Sequence, residues 1–206
     1  MERMSFVVHD RSQIKFAIVD DSVDFISVFL KDDDEVRESL NRFDLVFCPG
    51  NSFGHMTGGF DQGVVDVYGS EVETTIRQMI ATKYFGMMPV GRAEVVVVNG
   101  RGFVYTPTMF VPTQFTDVLL PYMSMYSSLV AVHEYERKNG MVFKKALCPL
   151  YCVGTGGAVA EVALRQQRQA LLEFKMALVG ANNGCADLFK DGMKRYMNLA
   201  KVSWHD

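Results

Sequence analysis

The sequence lacks any uninterrupted apolar run near the roughly 20 residues that cross a bilayer as a helix, which argues against a helical membrane protein. It lacks a positive balance as well. A formal charge of −3 gives no global pull towards nucleic acid or an anionic membrane, so a polyanionic ligand must be held by local devices such as backbone N–H groups and helix N-termini. Cysteine is sparse. Cys48, Cys148, Cys152 and Cys185 form no disulfide framework in a chain of 206 residues. Cys148 and Cys152 make at most half a zinc site, and His9, His55, His133 and His205 are scattered without ligand spacing to them, so no metal and no cofactor are expected. The first ten residues carry charges and have no signal-peptide centre, which leaves a reduced, cytoplasmic location as the expectation. Neither an internal repeat nor a low-complexity linker interrupts the chain.

What is present is an ordinary globular balance, 49% apolar and 22% charged, with apolar runs alternating with helix-like stretches. That alternation predicts a layered α/β domain over 1–206, with a core of about 14–180 and a helical extension over about 181–206. The pattern predicts a first strand at Ile14–Val19, an amphipathic helix from about Ser22 to Leu30 and a solvated acidic turn at Asp32–Glu35. A short buried strand at Leu45–Cys48 should run into Pro49-Gly50-Asn51. Helical patterning resumes near Phe60 and again over Glu71–Tyr84. Asn99-Gly100 separates two β-rich runs, Ala93–Val98 and Gly102–Thr106, as a tight hairpin would. A long helix is expected over about Asp117–Lys138, a strand over Val142–Leu147, a second long helix over Ala158–Val179, and a helical tail over Ala186–Val202.

Two segments repeat one local logic, in which a buried strand ends, a glycine loop follows and a helix begins. The first runs from Val46 through Asn51 and Gly58-Gly59 to Asp61, and the second from Leu147 through Gly154-Thr155-Gly156-Gly157 to Ala158. In open α/β sheets ligands sit beyond the carboxyl ends of strands, where such loops meet. Glycines admit a phosphate close to the backbone, and the exposed N–H groups stabilise its charge. Neither loop matches GxGxxG, and no GxxxxGK[ST] occurs, so dinucleotide-fold and P-loop readings lose support. An asparagine at a strand end offers a donor and an acceptor to a pair of ribose hydroxyls.

Asn51-Ser52-Phe53-Gly54-x-Met56-x-Gly58-Gly59-x-Asp61 resembles the ribose-binding loop of macro domains, in which Asn-Ala-Ala-Asn precedes Gly-Gly-Val-Asp. It is most similar to the microbial and viral branch that reads Pro-Ala-Asn-Ser-Phe-Gly. Val90-Gly91-x-Ala93, Pro107-Thr108-Met109-x-Val111-Pro112 and Gly154-Thr155-Gly156 follow in that branch's order, so the resemblance spans roughly residues 14 to 180. It implies a three-layer α/β/α fold with a central mixed sheet, and binding of ADP-ribose or of ADP-ribosylated protein or nucleic acid. By the same resemblance Asn51 and Ser52 belong to the loop at the distal ribose, with Asn51 holding it. Gly58, Gly59 and Phe60 would lie against that ribose and the diphosphate, and Gly154, Thr155, Gly156, Gly157 and Ala158 would wrap the diphosphate. Asp61 falls where hydrolytic members position or activate a water, which implies, with Asn51, a hydrolase of ADP-ribose esters or of ADP-ribose 1″-phosphate.

The chain also departs from that pattern. Cys48 replaces the first asparagine, and Gly157-Ala158 replaces the hydrophobic-aromatic-Gly continuation of the second loop. The acidic residue that receives the adenine amino group has three candidates, Asp20, Asp21 and Glu38. These departures keep open a non-catalytic interaction module. Single residues keep a second reading too. Asp61 fits a carboxylate at a helix start, His55 an idle loop residue, and Cys48 a buried strand-end thiol. Phe53 and Tyr151 fit either base stacking or core packing.

Overall fold

The computed structural model describes residues 3–7, 25–26, 43–114 and 119–181. Six strands and four helices alternate along them: β1 (Arg3–Val7), β2 (Phe25–Ile26), β3 (Leu45–Asn51), α1 (Gly59–Tyr68), α2 (Glu71–Tyr84), β4 (Glu94–Val98), β5 (Arg101–Met109), α3 (Leu120–Asn139), β6 (Lys145–Pro149) and α4 (Ala160–Ala181). The sheet order is β2-β1-β6-β3-β5-β4. Only the β4–β5 pair is antiparallel among these, so the sheet is mixed, as expected.

Side chains alternate across a strand, and β3 shows what this does. Leu45 and Phe47 enter one cluster with Tyr122, Met125 and Leu129 of α3 and Ala163, Ala170 and Phe174 of α4. Val46 and Cys48 enter the other, with Val64 of α1 and Val72, Ile76 and Ile80 of α2. Helices therefore cover both faces, which is the three-layer α/β/α arrangement. Each fully buried Leu, Val or Phe in these clusters contributes roughly 1.5–3 kcal/mol from loss of apolar hydration.

Local chemistry sets the ends of several elements. Asn99 and Gly100 both take positive φ, 51° and 77°, which is the type I′ geometry that joins Val98 to Arg101. Pro121 stands in the first turn of α3, where a missing N–H costs nothing. The carboxylate of Asp44 accepts the backbone N–H groups of Lys144 at 2.8 Å and Lys145 at 2.7 Å, tying the start of β6 to that of β3.

Several sequence expectations are corrected. Phe25–Ile26 pairs with β1 as a parallel strand, inside the stretch read as a helix; a short apolar run carries no period that separates the two. β1 itself was missed. β6 begins at Lys145 rather than Val142, which is exposed, because the 144–145 backbone is held by Asp44. β3 continues through Pro49 and Gly50 to Asn51, and β5 reaches Met109. Pro107 is accommodated there because it lies past Tyr105, the last β5 residue paired with β4. The strand read at Ile14–Val19, the turn at Asp32–Glu35 and the tail helix over Ala186–Val202 lie outside the described residues. No helix among the described residues is long and apolar enough to cross a membrane.

Candidate functional site

β3 and β6 are parallel neighbours, with Leu45 opposite Ala146 and Val46 opposite Leu147. The first glycine loop leaves β3 for α1 and the second leaves β6 for α4. α1 and α4 cover opposite faces, so the two connections diverge from adjacent strand ends. Divergence of this kind opens a crevice beyond the carboxyl ends of a parallel sheet.

The first loop is anchored from the neighbouring strand. The β3–β5 register slips between Gly50 and Asn51, and the Tyr105 hydroxyl serves the backbone groups at the slip. It accepts from Asn51 N at 3.0 Å and donates to Asn51 O at 2.7 Å. Burial, and then the charge of Asp61, push the Tyr105 hydroxyl up, so it stays protonated to donate. Gly50 is required beneath it, because a Cβ there would stand 2.2 Å from the hydroxyl oxygen.

Asn51 is 7% exposed, and most of its amide shapes its own loop. Oδ1 accepts from Phe53 N at 3.1 Å and His55 N at 3.4 Å, while Nδ2 donates to His55 O at 2.7 Å. One amide hydrogen remains for another acceptor. Ser52 is buried: its N donates to Met109 O, its O accepts from Met88 N, and its hydroxyl has no partner. Gly54 takes φ +76° and its α-carbon lies so close to α2 that a Cβ would meet Ile80 Cδ1 at 2.9 Å. Met56 drops into the core, and its N–H donates to Glu73 at 3.3 Å. Exposed His55 lies 4.0 Å from the same carboxylate.

The loop then opens outward. Gly58 and Gly59 have nothing within 4 Å of a notional Cβ. Gly58 caps α1 through extended backbone without a side-chain cap, so the first N–H groups of the helix have no intrahelical acceptor. Phe60 is half-buried. Asp61, in that first turn, is 7% exposed, and its Oδ1 has no hydrogen-bond partner. Burial, reinforced by the Glu73 charge, pushes its carboxyl well above the usual carboxylate range.

The second loop is anchored from its own helix. The buried Gln167 amide accepts from Tyr151 N at 2.8 Å and donates to Pro149 O at 3.0 Å. Gly157 N donates to Gly154 O at 3.1 Å and Ala158 N to Cys152 O at 2.9 Å, closing a compact turn. Gly154, Thr155 and Gly157 are exposed on it, whereas Gly156 and Ala158 are buried. A Cβ on Gly156 would meet Cys152 O at 2.4 Å. Tyr151 is fully buried, and its hydroxyl lies 3.0 Å from Ser128 Oγ, so it packs the core and does not face a base. Cys48 is likewise buried, and burial raises its thiol. Phe53 sits at the rim, edge-on to half-exposed Phe110 at 5.1 Å.

The segment after β5 bridges the loops. Met109 O and Phe110 O both accept from Ser52 N, and the Gln114 side chain lies within 3.8 Å of a notional Cβ on Gly157. Asn51, Gly58–Asp61 and Gly154–Ala158 thus converge on one end of the sheet. Asp20, Asp21 and Glu38, the candidates for adenine, lie outside the described residues. Sequence reasoning did not find Tyr105, Gln167, Glu73 or Gln114. No local pattern marks them; Tyr105 stands 54 positions from the backbone it holds, and only strand order brings it there.

No protein-family model matches the chain, and no curated protein matches it. The fold does have solved relatives. The Oceanobacillus iheyensis macrodomain with MES bound superposes with a TM-score of 0.52 at 17% identity, over 64% of this chain and 69% of that one. This chain has a macrodomain fold. The same macrodomain with ADP gives a TM-score of 0.51 at 17% identity, over 64% and 68% of the two chains. A substituted form of it with ADPR gives 0.51 at 16% identity, over 64% and 70%. At these identities the likeness is one of fold alone.

Proposed function

We propose that the protein binds ADP-ribose, or ADP-ribosylated groups, in the crevice between its two glycine loops. The observation that carries this reading is their convergence at the carboxyl ends of adjacent strands of a macrodomain fold. Gly58 and Gly59 offer open backbone at a helix start, and Gly154–Gly157 offer a compact exposed turn, a pair suited to a diphosphate. Asn51 keeps one amide hydrogen for a ribose hydroxyl. Residue spacing adds support. In the Oceanobacillus structures an asparagine, a glycine seven positions on and an aspartate ten positions on have each been substituted. Asn51, Gly58 and Asp61 stand at those same intervals. Binding to the folded state raises stability by mass action, so ADP-ribose should raise Tm in a thermal-shift assay. Asn51→Ala should blunt that rise. Equal shifts from the wild type and Asn51→Ala would overturn the assignment of Asn51.

A second reading, hydrolysis of ADP-ribose esters or of ADP-ribose 1″-phosphate, is favoured by Asp61. A buried carboxyl with an unpaired oxygen beside the first loop supports a role in orienting a water against the distal ribose. Desolvation makes it a stronger base once ionised. Asp61→Ala should abolish turnover while leaving ADP-ribose affinity within about threefold, because the backbone cradle persists. An equally active variant would remove Asp61 from the reaction.

A further inference from the structure

The geometry points to Glu73 as a positioning residue of the ADP-ribose site: from α2 it ties the crest of the first loop at Met56 and sets its carboxylate beside His55. This rests on the reading of the loop given above. Between Asn51 and Gly58 the loop is held to the body of the domain by the backbone of Ser52, by the close packing of Gly54 on α2 and by the contacts of Met56. Asn51 serves residues 53 and 55 from within, and Met56 provides an apolar anchor. The Met56 N–H to Glu73 Oε1 bond, 3.3 Å, is the polar link from the crest to α2. A hydrogen bond to a charged acceptor is the stronger kind, and this one fixes the direction in which Gly58 and Gly59 emerge.

The same carboxylate bears on two neighbours. His55 Nδ1, 4.0 Å away, forms an ion pair with it when the imidazole is protonated. Asp61, whose charge also acts on Cys48 of β3 and Tyr105 of β5, has no ion-pair partner among the described residues, and burial and then the Glu73 charge favour its neutral form. Arg77 lies one turn further along α2, its stem against Gly54. One side chain thus links the shape of the ribose loop to the protonation of the residue proposed to hold the water.

Two variants separate these actions. Glu73→Gln keeps an acceptor for Met56 N–H and removes the charge, whereas Glu73→Ala removes both. In a carboxyl-resolved NMR titration, the Asp61 midpoint should move to lower pH in Glu73→Gln. Amide exchange at Met56 should stay within about twofold of wild type in Glu73→Gln and rise about tenfold in Glu73→Ala. ADP-ribose affinity should fall about five- to tenfold in Glu73→Ala and little in Glu73→Gln. An Asp61 midpoint that does not move in Glu73→Gln, or Met56 exchange that does not change in Glu73→Ala, overturns the inference. Failure of the wild type to bind ADP-ribose overturns the functional reading instead, since both NMR readouts judge Glu73 without ligand.

Discussion

The two glycine loops look alike in sequence and are built differently. The first is held by a tyrosine from the adjacent strand and is surrounded by titratable groups, namely His55, Asp61 and Glu73. The second is held by a glutamine from the helix it leads into, and Leu150–Val159 contains no charged side chain. A loop of the second kind can offer backbone dipoles and the exposed Thr155 hydroxyl to a ligand, whereas the first adds titratable side chains. On the proposed function, that difference would separate holding a ligand from acting on it.

The largest expected effect tests whether each glycine is structural or open. Gly156→Ala drives a Cβ into Cys152 O and should cost about 3 kcal/mol in urea denaturation, because backbone cannot swing aside as a side chain can. Next come the two clamps. Tyr105→Phe takes the hydroxyl from Asn51 N and O, leaving Asn51 O with Gly54 N at 3.3 Å, and Gln167→Leu takes the amide from Tyr151 N and Pro149 O, leaving Pro149 O with Cys148 Sγ at 3.5 Å. Each should cost about 2 kcal/mol, with faster amide exchange confined to residues 51–56 in the first variant and 149–152 in the second. Exchange that spreads to both loops would erase the distinction between them.

Asp61→Asn should go the other way. The folded-state pKa of Asp61 lies above its unfolded value near 3.9, so its neutral form is the one the fold accommodates. That stability is complete below about pH 3.9 and is lost as pH rises through the folded pKa. The asparagine variant should match wild type at acid pH and exceed it at neutral pH by about 1.5 kcal/mol. A wild-type advantage at neutral pH would show that Asp61 has a stabilising partner. The smallest expected effect on stability is that of Gly58→Ala, within about 0.5 kcal/mol, since the poorer cap is offset by a stiffer unfolded chain. Its consequence should fall on ADP-ribose affinity.

Much of this was legible in the sequence, and the part that was not has a physical reason. Periodicity placed α1 to α4, and Asn99-Gly100 placed the β4–β5 turn, because those signals are local. The short strand at Phe25–Ile26 gave no period to read, and Asp44 displaced the start of β6 from a distance. At the site, the glycines and Asn51 were visible as a motif. Their supports were not, because Tyr105, Gln167 and Glu73 reach the loops only through strand order and helix packing. The resemblance implies that Asn51 holds the distal ribose, and it gives no sign that most of the Asn51 amide shapes its own loop.

The central claim is that the crevice between these loops takes ADP-ribose. Isothermal titration of the protein with ADP-ribose, beside ADP and NAD, tests it most directly. The account predicts saturable one-site binding of ADP-ribose that weakens in Gly58→Ala. Absence of binding heat at sub-millimolar ADP-ribose, together with no rise in Tm, would contradict it.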